Sequence, residues 1–165
     1  MTEPPARTAF VLTVSDGVAH GAREDESGAA VAGLLAGLGF DVERGVVPDE
    51  RDDIQTAIAS AAARHALIAT TGGTGLTPRD VTPQATSATV DYEVPGMAEA
   101  MRAAGRAKTP FADLSRGVVG VRGHALVVNL PGSPTGAVES LEALVPLLDH
   151  ALETLAGPFD HGAAD

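Results

Sequence analysis

Apolar positions along this chain follow two rhythms, short solid runs and longer stretches with helical spacing. Thr8–Val14 (TAFVLTV) is a run rich in β-branched residues and predicts a central strand. It ends at the turn signal Ser15-Asp16-Gly17 and passes into a polar loop, VAHGAREDE. Val31, Leu34, Leu35 and Leu38 then recur at i, i+3, i+4 and i+7, which predicts a helix starting from Ser27. Ser27 is its expected N-cap, Asp25 and Glu26 suit the positive end, and Gly39 terminates it. Phe40–Val47 reads as a second strand, stopped by Pro48-Asp49-Glu50. A second helix carries Ile54, Ala57, Ile58 and Ala61 on one face, with Glu50, Asp52 and Asp53 around its first turn. A third strand over residues 66–70 delivers the chain into the glycine-rich stretch Thr70–Asp80, TTGGTGLTPRD.

The second half is less regular. Thr82-Pro83 predicts an N-cap followed by proline at the first helical position. Asp91–Pro95 is extended, and residues 96–107 predict a helix with Met97, Ala100, Met101 and Ala104 on one face. Val118–Val121 and Ala125–Leu130 bracket Arg122-Gly123-His124 and predict a hairpin. Ser133 caps a last helix that is apolar through Val138, Leu141, Leu144, Val145, Leu148, Leu152 and Leu155; Pro146 should kink or break it. Loose ends are expected over residues 1–7 and 158–165. The order β-α-β-α-β with short connections implies an α/β fold, a mostly parallel sheet with helices on both faces, in one domain spanning residues 1–165.

Composition narrows what such a fold can do. Aromatic residues make up 3% of the chain, so the core is aliphatic. There is no cysteine, which removes disulfides, thiolate metal sites and cysteine nucleophiles. A formal charge of −11 argues against non-specific nucleic-acid binding, yet leaves room for a small phosphate ligand neutralised locally. The start, MTEPPARTAF, lacks a signal-peptide layout, and no apolar run is long enough to cross a bilayer. A soluble, cytoplasmic protein is expected.

In an open α/β sheet, ligands bind beyond the carboxyl ends of the strands. Four loops of unusual composition leave predicted strand ends: Ser15-Asp16-Gly17, Pro48-Asp49-Glu50, Gly72–Asp80 and Pro131–Pro134. Gly72, Gly73 and Gly75 would let backbone N–H groups approach an anion; the bland alternative is a glycine-rich turn with no ligand. The stretch is not a P-loop, because no Gly-Lys-Ser/Thr follows, and Pro78 breaks the dinucleotide pattern. Asp49 and Asp80 sit at strand ends and could together hold Mg²⁺. Otherwise Asp49 is a turn or helix-start residue and Asp80 only pairs with Arg79. Asp16 and Asp25 are explained by turn and helix-start roles. The histidines show no metal-ligand spacing, and no nucleophile elbow is present. A reaction whose nucleophile is already ionised, such as a substrate phosphate, suits this set.

The run TGGTGLTPRD with Val81-Thr82-Pro83 resembles the signature of the MogA/MoaB family of molybdenum cofactor biosynthesis, which includes gephyrin G-domain-like proteins. So do Ser15-Asp16, Asp25-x-Ser27-Gly28, Pro48-Asp49-Glu50, Glu93-x-Pro95-Gly96 and Leu130-Pro131-Gly132-Ser133-Pro134, all in order over residues 8–156. The resemblance implies a three-layer α/β/α sandwich, a homotrimer, and adenylyl transfer from MgATP to the terminal phosphate of molybdopterin with release of pyrophosphate. It implies Asp49 and Asp80 as the critical carboxylates, one or both on Mg²⁺. Ser15, Asp16, Ser27 and Gly28 would bind the substrates, and Gly72, Gly73, Thr74 and Gly75 with Pro131, Gly132 and Ser133 would border the nucleotide and pterin pockets. Arg79 would either contribute directly or orient Asp80. A downstream molybdenum-insertion enzyme is an implied partner. The same fold could instead serve as a non-catalytic molybdopterin-binding or scaffold module, or as a nucleotide hydrolase.

Overall fold

A computed structural model describes residues 7–159. Six strands form one sheet in the order β2-β1-β3-β6-β5-β4. They are β1 (Thr8–Val14), β2 (Asp41–Val47), β3 (Leu67–Thr71), β4 (Tyr92–Glu93), β5 (Val119–Arg122) and β6 (Ala125–Leu130). β2, β1, β3 and β6 run parallel, with Val14 beside Val47, Thr13 beside Thr71 and Thr71 beside Leu130. Their carboxyl ends therefore finish at one edge. β5 returns antiparallel to β6 through a turn in which Gly123 takes φ +58°, and β4 adds a short antiparallel edge. The mostly parallel sheet with an antiparallel edge hairpin agrees with the sequence reading.

Helices cover both faces. On one side lie α2 (Glu26–Gly37), α5 (Pro95–Arg106) and α6 (Pro134–Ala156), packed on Ala9, Val11, Leu67, Ala69, Leu126, Val128 and Leu130. On the other lie α3 (Arg51–Ala62) and α4 (Thr82–Thr89), packed on Phe10, Leu12, Val14, Ile68, Ala125 and Val127. Successive residues of β1, β3 and β6 feed opposite cores, as strands buried on both faces must.

Several local expectations are corrected. The N-cap of α2 is Asp25, whose carboxylate accepts Gly28 N–H at 2.9 Å; the Ser27 hydroxyl turns inward to Thr71 Oγ1 at 2.9 Å. Thr82 lies inside α4, and its hydroxyl donates to the Gly72 carbonyl at 2.9 Å instead of capping. On α5, Ala98 is buried and Ala104 is exposed. Of the kink or break expected at Pro146, the break does not occur, and α6 continues through it. The proline lies on the exposed side, while Leu141, Leu144, Leu148 and Leu152 are buried on either side of it and hold the turns together. Two short elements had no apolar period to reveal them: α1 (Asp16–Ala19), capped by Ser15, and a 3-10 helix over Pro110–Leu114.

Of the expected loose ends, residues 1–6 and 160–165 lie outside the described residues. Arg7 is fixed: its guanidinium donates to Asp149 and to the Leu38 carbonyl and lies 4.7 Å over the Phe40 ring. Phe159 stacks on His124 with ring centroids 5.5 Å apart.

Candidate active site

The carboxyl ends of β1, β2, β3 and β6 open into a polar cavity of about 460 Å³. Ser15, Ser27, Asp49, Gly72, Gly73, Asp80, Gly132 and Ser133 line it, so all four strand-end loops contribute. Three of these loops meet backbone to backbone. Gly72 has φ +95°, and a Cβ there would strike the Val14 carbonyl oxygen; a Cβ on Gly132 would lie 3.3 Å from Gly72 Cα. Gly73 has φ +69°, and its missing side chain makes room for the Thr82 hydroxyl and for Asp49 Oδ1. The N–H groups of Gly73, Thr74 and Gly75 have no protein acceptor among the described residues, and of the three only Gly73 lines the cavity.

Asp49 is held by a reciprocal pair. Its Oδ2 accepts the Asp16 N–H at 2.9 Å, while its own N–H donates to Asp16 Oδ1 at 3.0 Å. Arg79 lies over Asp16, donating from Nε at 3.1 Å and Nη2 at 2.9 Å, and reaches Glu50 at 3.0 Å. Arg79 therefore fixes the loops bearing Asp16 and Asp49, which corrects the expectation that it orients or pairs with Asp80. The Asp80 carboxylate is set instead by Thr77, whose N–H and hydroxyl donate to Oδ2 at 2.9 and 2.8 Å. In both Asp49 and Asp80, Oδ1 has no hydrogen bond among the described residues.

The electrostatics follow from this layout. Burial pushes the Asp49 carboxyl above the ordinary aspartate range, with the charges of Asp16 and Asp80 adding to it, against the Asp16 N–H and Arg79. The Asp16 carboxyl is held below that range by the Asp49 N–H and by Arg79. Asp49 thus sits in the cavity as a partly buried carboxyl with no ion pair among the described residues.

The remaining expected site residues lie around the cavity rather than on it. Asp16 is occupied by Asp49 and Arg79, and Gly28 packs on Asp25 and Thr13. Thr74 is buried, and Gly75 leaves room for Asp80, since a Cβ there would be 2.9 Å from Asp80 Oδ2. Pro131 faces a second cavity of about 220 Å³ between α5, the 3-10 helix and α6, which also takes in Met101, Phe111 and Asn129; Ser133 borders both cavities.

Arg116 was not foreseen. Its Nε donates to the Gly75 carbonyl at 2.8 Å, its Nη2 to the Asp80 carbonyl at 2.7 Å, and its N–H to the Thr74 carbonyl at 2.9 Å. It grips the glycine loop on both sides of its tip. No local signal marks it, because these side-chain bonds span 41 and 36 residues of sequence. Among the described residues no group of three or more histidines and carboxylates is gathered to hold a metal, and no helix is long and apolar enough to cross a membrane.

Comparison with known proteins places this geometry. A family model described as "Probable molybdopterin binding domain" matches residues 10–150. The chain is 36% identical over 156 residues to a molybdopterin adenylyltransferase of Helicobacter pylori, covering 90% of this chain and 88% of that one. It is 43% identical over 156 residues to a molybdenum cofactor biosynthesis bifunctional protein of Synechococcus elongatus, covering 93% of this chain and 49% of that longer protein. The crystal structure of the molybdopterin biosynthesis enzyme MoaB from Thermus thermophilus superposes with a TM-score of 0.86 at 52% identity, over 91% of this chain and 96% of that one.

Proposed function

This chain belongs to the molybdopterin-binding domain family of molybdenum cofactor biosynthesis, and from that premise we propose that it is a molybdopterin adenylyltransferase. It transfers the adenylyl group of ATP to the terminal phosphate of molybdopterin and releases pyrophosphate. The observation that carries the reading is the junction of Asp49, Asp80, Gly73 and Ser133 on one polar cavity at the carboxyl edge of the sheet. The hydroxyls of Ser15, Ser27 and Ser133 on the cavity are engaged with the Val18 N–H, Thr71 Oγ1 and the Gly136 N–H, and the reaction needs no protein nucleophile, because the attacking phosphate monoester is already anionic at neutral pH. What remains for the protein is to position two polyanions and to balance charge at the α-phosphorus.

Asp49 and Asp80 fit Mg²⁺, which takes one or two carboxylates and completes its shell with water and phosphate oxygens; both present a free Oδ1, and Asp49 makes no ion pair among the described residues. When bound, the ion supplies charge neutralisation on the phosphates. The chain's own residues do the rest. The free N–H group of Gly73 receives a phosphate oxygen, Arg79 keeps Asp49 in place through Asp16, and Thr77 aims Asp80. Ser15, Ser27, Gly132 and Ser133 shape the polar cavity, and the apolar cavity beyond Pro131 suits the flat ring of one substrate.

The proposal extends to a single domain, a cytoplasmic location and a homotrimer. Exposed Leu76, Phe111 and Leu114 support assembly, and light scattering that returns one chain mass would remove it. The bifunctional relative from Synechococcus supports a partner, such as a molybdenum-insertion enzyme, that consumes the product.

The test is pyrophosphate release from ATP with Mg²⁺, with and without molybdopterin. Release only with molybdopterin, lost in Asp80→Asn, is the expected result. Molybdopterin binding without turnover would make the chain a binding module, and nucleotide consumption without pterin would make it a hydrolase.

A further inference from the structure

One cation at the site has no partner. Arg23 lines the polar cavity and makes no side-chain hydrogen bond or ion pair among the described residues. Every other lysine and arginine except Arg51 is engaged. Arg7, Arg44, Arg64, Arg79, Arg106 and Lys108 bind carboxylates, and Arg102, Arg116 and Arg122 bind main-chain carbonyls. Arg51 lines neither of the two cavities. In a chain of formal charge −11, an arginine left over at the mouth of a site for polyanions is unusual.

Its stem packs on a neighbouring turn. The Arg23 stem lies across Gly17, where a Cβ would stand 2.7 Å from Arg23 Cδ and 3.2 Å from Cγ, and the Arg23 N–H donates to the Gly17 carbonyl at 3.1 Å. A side chain at position 17 would have to displace that stem. The carboxylates on the cavity wall are Glu24, Glu26, Asp49 and Asp80, and Arg23 is the cation among them. Arg79, which does not line the cavity, is already neutralised by Asp16 and Glu50.

Resting on the adenylyltransferase reading, we infer that Arg23 grips the β- and γ-phosphates of ATP, the portion that leaves as pyrophosphate. In the transfer, an oxygen of the molybdopterin phosphate bonds to the α-phosphorus while the bond from the α-phosphorus to the bridging oxygen breaks. The electron pair goes to that oxygen, and negative charge grows on the departing pyrophosphate. A guanidinium presents paired donors in a fork that matches phosphate oxygens, and it keeps its charge at any working pH. At Arg23 it would hold the tail in the ground state and meet the charge that develops on departure.

The experiment is calorimetric titration of the wild type, Arg23→Ala and Arg23→Lys with ATP and, separately, with AMP, in Mg²⁺ and without molybdopterin. AMP lacks the tail and so reports any general damage to the site. The expected result for Arg23→Ala is a dissociation constant for ATP raised by about 10- to 100-fold with AMP binding unchanged. Arg23→Lys should fall between. Equal weakening of ATP and AMP, or unchanged ATP binding, would overturn the assignment while leaving the adenylyltransferase reading in place. A wild type that binds neither nucleotide would overturn both.

Discussion

Burial leaves the Asp49 carboxylate less stabilised than an exposed one, and that tension can be measured. Its carboxyl titrates above the ordinary value because it is partly buried beside Asp16 and Asp80. An acid whose pKa is higher folded than unfolded binds more protons in the folded state, so its ionisation erodes stability as pH rises from 3.8 through the folded value. Asp16 acts in the opposite sense: its lowered pKa contributes stability above 3.8 that disappears as pH falls through the folded value. Asp49→Asn can keep the bond from the Asp16 N–H yet carries no charge. It should melt at a higher temperature than the wild type at pH 7, lose that advantage at acid pH, and turn over at least ~100-fold more slowly. Thermal unfolding from pH 4 to 8, beside a steady-state assay, checks both halves. A lower melting temperature at pH 7 would refute the charge argument.

The positions of Asp49 and Asp80 were legible because each follows a recognisable strand, and a parallel sheet sends such ends to one edge. The partner of Arg79 was not. Sequence adjacency suggested Asp80, but Thr77 was close enough to satisfy that carboxylate, and Arg79 extends to Asp16 from 63 residues earlier.

At the scale of elements, the glycine stretch is a loop held from outside. Arg116, between the 3-10 helix and β5, binds carbonyls at Thr74, Gly75 and Asp80, and Arg102 on α5 in turn holds the carbonyls of Ser115 and Gly117 at 3.2 and 3.0 Å. Two arginines thus brace the loop from the hairpin side of the sheet. Arg116→Ala should lower kcat by about 100-fold through misplacement of Asp80 and raise KM for ATP, because Gly73 lies on the same loop. Amide exchange over residues 73–80 should quicken, with the core strands unaffected; an unchanged exchange rate there would sink the idea. Gly72→Ala is expected to act differently, forcing an alanine into φ +95° against the Val14 carbonyl. A loss of about 1–3 kcal/mol in denaturant unfolding is the expected outcome.

Helices and strands with a steady apolar period were readable to within a residue or two, as β1 and α3 illustrate. What escaped was decided by competition for single hydrogen bonds. The sequence favoured Ser27 as cap of α2, but Asp25 also reaches the exposed N–H groups, and the Ser27 hydroxyl finds a better partner in buried Thr71. Pro146 by its own chemistry predicts a kink or a break, and only the apolar face packed behind it keeps the helix from breaking.

Across the whole molecule, net charge and local charge pull in opposite directions. On the proposed function, a surface of formal charge −11 would repel nucleotides at long range, whereas the cavity would attract them only at short range, through Arg23 and the Gly73 N–H group. Added monovalent salt screens the first effect more than the second. The association rate constant for ATP, measured by stopped flow with Mg²⁺ held constant, should therefore rise between low and moderate ionic strength. A steep fall would mean that a basic entry path dominates instead.

The contact of Gly72 with Val14 and Gly132 also limits how such a site can change over time. Where three loops touch through bare backbone, there is no side chain to exchange, and an altered loop would need matching changes in the other two. Variation in substrate preference should accordingly gather at the periphery, on α5, the 3-10 helix and the first turns of α6 that wall the second cavity. For an engineer the floor is fixed hardware, and libraries aimed at new pterin or nucleotide analogues belong at Met101, Phe111 and Glu139.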